Sequence, residues 1–216
     1  ASLRATDVRD ERLEGLRFTV SFEGERAAAS LPMPGRHLLT AGLAAIGAAV
    51  ALGVPLDEAA TALGTMEPPP HRMSVRRAHD VTVIDDSYNS SPAAVHAALA
   101  LLRGVGGRRL AVIGDMRELG TLSLAAHEDV GRDAAGSADV LIGVGELAET
   151  IVRSAREAGM AGAHHAGDAA EALVLLRRLM RSGDTVLVKG SRAIGLDAVA
   201  DALAPASGAA ARSGAA

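Results

Sequence analysis

The stretch from Val81 to Pro92 reads VTVIDDSYNSSP, and the rest of the chain is best read outward from it. An apolar run (Val81, Val83, Ile84) ends on Asp85-Asp86, a polar turn follows, and Pro92 opens an alanine-rich stretch. The run predicts a strand and the Ser-Pro step a helix start. Adjacent carboxylates are costly inside a packed core. At the carboxyl end of a strand in an open α/β sheet they face a ligand instead, because ligands bind in the crevice outside the strand C-termini. The same residues also suit a solvated turn in which Asp and Ser cap the helix. On these residues alone both readings stand.

Toward the C-terminus, strand and helix patterns alternate. Arg72 to Arg77 reads as an edge strand leading into Val81 to Ile84, and Pro92 to Leu102 as a helix. Strands are expected at Leu110 to Ile113, Val140 to Val144, Ala163 to Ala166 and Thr185 to Lys189. Helices are expected at Leu124 to Ala135, Glu146 to Ala158, Ala169 to Met180 and Leu196 to Leu203. Repeated βα units with short connections predict an α/β fold: a mostly parallel sheet with helices on both faces.

Toward the N-terminus the pattern differs. Residues 1 to 15 are polar without a clear period, and Leu16 to Phe22 and Ala27 to Leu31 read as a hairpin around Gly24-Glu25. An isolated hairpin is marginal in water, so these strands read as the end of a larger sheet whose other strands lie outside the chain. Arg36 to Leu52 and Leu56 to Leu63 read as helices, the first stopped by Gly53. Pro68-Pro69-Pro70 makes a stiff connector. The expected division is therefore residues 1–67, residues 68–204 and a disordered Ala/Gly/Ser tail over 205–216.

Composition narrows the function. The 216 residues are 49% hydrophobic but 1% aromatic, so the core is built from Ala, Val, Leu and Ile. A net charge of −4 with interspersed signs argues against nucleic acid or an anionic membrane surface as the main partner. The absence of cysteine excludes disulfides and thiolate chemistry. The longest apolar stretch, Leu38 to Val54, is too short and too rich in Ala and Gly for a membrane span, and no signal peptide precedes it. A cytoplasmic protein is expected.

Three motifs follow strand ends. Gly143 to Ala148 fits G-x-G-x-x-A with Asp168 about 20 residues on, but a tight turn that needs glycine is the stronger reading. Gly114 to Gly120, GDMRELG, is a polar loop that suits either binding or simple connection. Val188-Lys189-Gly190-Ser191-Arg192 is sharper. Lys189 is the chain's single lysine and ends an apolar strand, with backbone amides, a hydroxyl and Arg192 following, an arrangement suited to an anionic group. No pair among His37, His71 and His127 has metal-ligand spacing, so no metal site is expected. G-x-x-x-x-G-K-[ST] is absent, as is any Ser-His-Asp or Cys-His set.

Taken together, PGRH at 34–37, PHRM at 70–73, DDSYN at 85–89, GDMRELG at 114–120, His127 with Val130-Gly131, and GDTVLVKGSR at 183–192 resemble, in this order, the C-terminal half of the Mur ligases. DDSYN, GDMRELG and VKGSR are most similar to the branch that adds D-Ala-D-Ala to UDP-N-acetylmuramoyl-tripeptide. The resemblance implies a Rossmann-like C-terminal domain preceded by the end of a central ATPase domain. The N-terminal domain and the rest of the ATPase domain would lie outside the chain. It further implies ATP-dependent carbon–nitrogen ligation in peptidoglycan precursor synthesis: a carboxylate is phosphorylated by ATP, and the amine of D-Ala-D-Ala attacks the acyl phosphate. Mg²⁺ ligands, the phosphate loop and a modified lysine are expected outside this chain, so the chain by itself is expected to be inactive, and a monomer.

Carried over residue by residue, Arg72 matches an arginine near the ATP phosphates and Asp86 an acid that binds the ribose. Tyr88, Asn89 and His37 fall in segments that line the nucleotide. Lys189, expected to be catalytic, falls with Ser191 and Arg192 in the loop facing the substrate peptide or transferred phosphate. Asp115 and Glu118 are expected to hold the incoming amine. The family helix begins G-x-H-N-x-x-N, and its asparagines contact adenine. Here Leu38 and Ala41 stand at those places, and neither can make such hydrogen bonds. That departure keeps open a diverged, non-catalytic nucleotide-binding or interaction module.

Overall fold

A computed structural model describes residues 2–205, so the expected tail falls, but for Pro205, outside the described residues. The chain forms two compact units, Ala1–Pro69 and Pro70–Ala216. In the first, β1 (Arg4–Asp10), β2 (Leu16–Phe22) and β3 (Glu25–Leu31) make an antiparallel sheet in the order β1-β2-β3. The hairpin thus has a third strand within the chain, contrary to the expectation from sequence. A register shift between Thr6 and Arg9, with Asp7 at φ 53°, breaks the alternation of β1 and hides it from a period-2 reading. The β2–β3 turn is Glu23-Gly24, one residue earlier than expected. Both residues have positive φ, the twist that a two-residue hairpin loop requires. Leu16, Phe18 and Val20 point to one face. They pack with α1 (Leu39–Ala51) and α2 (Leu56–Gly64) through Ile46, Leu56, Ala59, Ala60 and Leu63.

The second unit is a six-stranded sheet. Its strands are β4 (Ser74–Ala78), β5 (Val81–Asp86), β6 (Arg109–Gly114), β7 (Val140–Val144), β8 (Ala163–Ala166) and β9 (Thr185–Lys189), in the order β4-β5-β9-β6-β7-β8. Only β4 is antiparallel, joined to β5 by His79-Asp80, again both at positive φ. The remaining neighbours are parallel, so the carboxyl ends of β5, β9, β6 and β7 share one edge. The central strands are apolar on both faces, as a sheet covered on two sides requires. On one face Val83, Val112, Ile142, Val186 and Val188 pack with α6 (Ala169–Leu179) and α7 (Asp197–Leu203). The residues of opposite parity, Ile84, Ala111, Ile113, Leu141 and Leu187, are equally buried. Helices α3 (Pro92–Arg103) and α5 (Ala148–Glu157) also contact the strands, and α4 (Ser123–Ser137) packs on both.

Caps fix where the helices begin. Ser91 accepts from Ala94 N–H with Pro92 next to it, and Asp168 accepts from Glu171 N–H, so the acid that follows the G-x-G-x-x-A pattern is a helix cap. At the far end of the sheet, the Arg109 guanidinium hydrogen-bonds Asp139 and holds its carboxyl below the usual carboxylate range. At the α4–α5 contact, a methyl added at Gly131 would lie 2.3 Å from the Ile151 carbonyl oxygen. Helix propensity favours Ala over Gly by about 1 kcal/mol, but a clash with backbone cannot relax cheaply. Gly131→Ala is expected to destabilise by about 1–3 kcal/mol in urea denaturation; a gain in stability would show that the helices are not held this closely.

Candidate functional site

Three loops leave the carboxyl ends of three adjacent parallel strands: 87–91 after β5, 190–192 after β9 and 115–120 after β6. They wall a cleft of ≈ 720 Å³ whose lining includes Tyr88, Asn89, Arg117, Glu118, Ser191 and Arg192. The crevice therefore lies where an open α/β sheet places ligands.

Register sets the first contact. Lys189 on β9 is paired with Asp86 on β5, and its Nζ donates to Asp86 Oδ2 at 2.6 Å and to the Asn89 carbonyl at 2.9 Å. Lys189 is 1% exposed. A buried ammonium persists only when its desolvation is offset by a close partner, and here Asp86 and the Asn89 carbonyl are those partners. Lys189, expected to be catalytic, lies enclosed behind the loop. Asp86 Oδ1 accepts from Met73 N–H at 3.2 Å, which ties the segment before β4 to the end of β5.

Asp85 points to the opposite side and is fully buried. Its carboxylate accepts from Ser87 Oγ at 2.6 Å and Ser87 N–H at 3.2 Å, and it pairs with Arg76 and with His71 Nδ1 at 2.8 Å. Arg76 also donates to Asp201 on α7 at 2.7 Å. His71, Asp85 and Asp201 bring three possible ligand atoms within 4.8 Å of one another. However, the Arg76 guanidinium already bridges both carboxylates, so the trio is charge-matched without a divalent ion.

Over the cleft, Tyr88 is 37% exposed. The Arg72 guanidinium lies 3.9 Å from its ring centroid and that of Arg192 5.2 Å, both within cation–π range.

The third loop is held from below. Asp115 is fully buried; its Oδ1 accepts from Ala148 N–H at 2.8 Å, and its Oδ2 has no hydrogen bond, with Arg117 Nη2 at 3.6 Å. Gly145, at φ 104°, passes so close that a methyl there would meet this carboxylate at 2.6 Å. The 143–148 turn thus needs glycine for packing, and α5 begins at Ala148 rather than Glu146. Ser191 N–H donates to the Asp115 carbonyl, and Ser191 Oγ accepts from Arg117 N–H at 3.0 Å. His127 Nε2 accepts from Met116 N–H at 3.1 Å while Nδ1–H donates to the Ser123 carbonyl, which fixes a neutral tautomer.

Of the residues singled out from sequence, the structure brings Tyr88, Asn89, Glu118, Ser191 and Arg192 to the cleft wall, with Arg72 stacked on Tyr88. Lys189 lies behind the wall and Asp115, fully buried, beneath the loop, while Asp86 stays partly exposed between Lys189 and the Met73 amide. His37 belongs to the first unit, exposed on the turn Arg36–Leu38. The supporting groups Arg76, Ser87 and Asp201 were not anticipated. Ser87 two residues after Asp85 is a local turn pattern that sequence offers; Arg76 and Asp201 meet only through the fold.

A family model described as "Mur ligase, glutamate ligase domain" matches residues 71–192, which contain all three loops. The chain belongs to the Mur ligase family. The UDP-N-acetylmuramoyl-tripeptide–D-alanyl-D-alanine ligase of Mycobacterium tuberculosis is 38% identical over 212 residues, covering 87% of this chain and 41% of that protein. The crystal structure of MurF from Acinetobacter baumannii matches with TM-score 0.85 and 28% identity, over 93% of this chain and 45% of that one. A MurF ligase from Thermotoga maritima, solved in complex with ADP, shares the fold at TM-score 0.75 and 24% identity, over 91% and 44% of the two chains. The chain therefore spans less than half the length of these Mur ligases.

Because the amide of Arg117 has a single side-chain acceptor from the neighbouring loop, Ser191→Ala is expected to leave it unpaired. A cost of about 1–2 kcal/mol and faster exchange at Arg117 should follow, read by amide hydrogen exchange. Unchanged protection at Arg117 would mean that the two loops are held by other contacts.

Proposed function

We propose that this chain is the C-terminal part of an ATP-dependent ligase that joins D-Ala-D-Ala to UDP-N-acetylmuramoyl-tripeptide in peptidoglycan precursor synthesis. The observation that carries the reading is the convergence of DDSYN, GDMRELG and KGSR on one cleft within the matched segment 71–192. The relatives named for this activity support it, as does the ADP complex of a protein of the same fold. ATP and a UDP-linked substrate suit a cytoplasmic enzyme, and no described helix is long and apolar enough to cross a membrane.

In this reading ATP supplies the phosphoryl group that activates the tripeptide carboxylate. Arg72 and Arg192 face its phosphate oxygens, and Asp86, held between Lys189 and the Met73 amide, keeps lone pairs for ribose hydroxyls. Glu118, which also lines the cleft, faces the ammonium group of the incoming dipeptide. Lys189 and Asp115 position these groups rather than touch the reactants. His71, Asp85 and Asp201 do not fit Mg²⁺, because Arg76 takes its place, and no step through the ion is assigned to this chain.

The test is phosphate release from ATP by the full-length protein. Release is expected to require both the UDP-linked tripeptide and D-Ala-D-Ala, with formation of an amide, and Arg192→Ala should lower it about 100-fold. The chain by itself should not turn over. A second reading, a non-catalytic Mur-like module, is favoured by Leu38 and Ala41 in the first unit. It predicts no amide product under the same conditions.

A further inference from the structure

We propose that Tyr88 is a positioning residue whose ring gathers the guanidinium groups of Arg72 and Arg192 into an anion clamp before any ligand binds. The phosphoryl group assigned to that clamp rests on the ligase reading above; the clamp itself rests on geometry. Both phenylalanines, Phe18 and Phe22, lie in the first unit, so a chain with one tyrosine and no tryptophan spends the only Phe, Tyr or Trp ring of its second unit on this cleft. The ring is 37% exposed, so its position is not explained by core packing.

Two cations repel unless something negative lies between or beneath them. The face of an aromatic ring supplies that through its quadrupole, and here it meets guanidiniums from segments 120 residues apart in the sequence, at 3.9 and 5.2 Å.

The backbone around Arg72 bears this out. His71 and Met73 flank it at φ 59° and 51°, conformations that L-residues adopt only when their surroundings hold them there. Three contacts do so: Tyr88 N–H donates to the His71 carbonyl at 3.0 Å, His71 Nδ1 meets Asp85, and Met73 N–H donates to Asp86. The segment is thus sewn to the end of β5 on both sides of Arg72 and to the Tyr88 loop through His71, leaving the arginine side chain on the ring. Planar guanidiniums pair bidentately with tetrahedral oxyanions. A phosphoryl group entering the cleft would therefore meet two pre-aimed cations. The ring face does this work, not the phenol hydroxyl.

The test uses the 216-residue chain with labelled arginine. NMR resonances of the Arg72 and Arg192 side chains, assigned with Arg72→Lys and Arg192→Lys, should show ring-current upfield shifts in the wild type and in Tyr88→Phe. In Tyr88→Leu the shifts should vanish while the melting temperature stays unchanged. By calorimetry on the full-length protein, ADP should bind Tyr88→Phe within about twofold of wild type and Tyr88→Leu about tenfold more weakly. Absent shifts in the wild type, or equal losses of affinity in the Phe and Leu variants, would overturn the proposal. Ring-current shifts with no ADP binding by any variant would support the clamp and count against a nucleotide as its ligand.

Discussion

The hydrogen-bonded pair between the Lys189 ammonium and the Asp86 carboxylate is the contact on which the cleft depends. It joins β9 to β5 at the edge where ligands bind, and the same ammonium reaches the Asn89 carbonyl and so fixes the turn that carries Tyr88. With 1% exposure, the lysine has exchanged water for these acceptors. Neither partner can be removed alone without stranding the other, which makes the register of two strands and the course of one loop a single decision.

The other loops are tied to the same strand. Ser191, two residues beyond Lys189, binds the 115–120 loop through the Asp115 carbonyl and the Arg117 amide. Asp115 in turn anchors Ala148 at the start of α5, and His127 supports Met116. On the other flank, Asp85 gathers His71, Arg76 and Ser87, and Arg76 extends the network to α7. Buried polar groups that are mutually satisfied rigidify a structure. Here they form a layer beneath the cleft, and the side chains left on its wall, Tyr88, Arg192 and Glu118, are those free to meet a ligand.

The alternation of strands and helices in the second unit was legible because apolar runs such as Val140 to Val144 leave little ambiguity of type. Strand β1 was not, because its bulge moves the inward residues out of phase. The start of α5 was misplaced by two residues because the signal that ends the turn is a carboxylate 33 residues upstream, and no local pattern records it. The same limitation affected the site. The motif loops were recognisable as sequence. That Lys189 and Asp115 are enclosed while Glu118 faces the cleft depends on strand register and on partners far along the chain. Arg76 and Asp201, 125 residues apart, are the extreme case.

The most direct test of this account is a double-mutant cycle of Lys189→Met and Asp86→Leu, followed by denaturation of the 216-residue chain. Each single change should cost about 3–5 kcal/mol by leaving a charge without its partner. The double variant should cost clearly less than their sum, giving a coupling of about 2 kcal/mol or more. Additive losses would contradict it, for they would mean that the pair does not hold the two strands and the loop together.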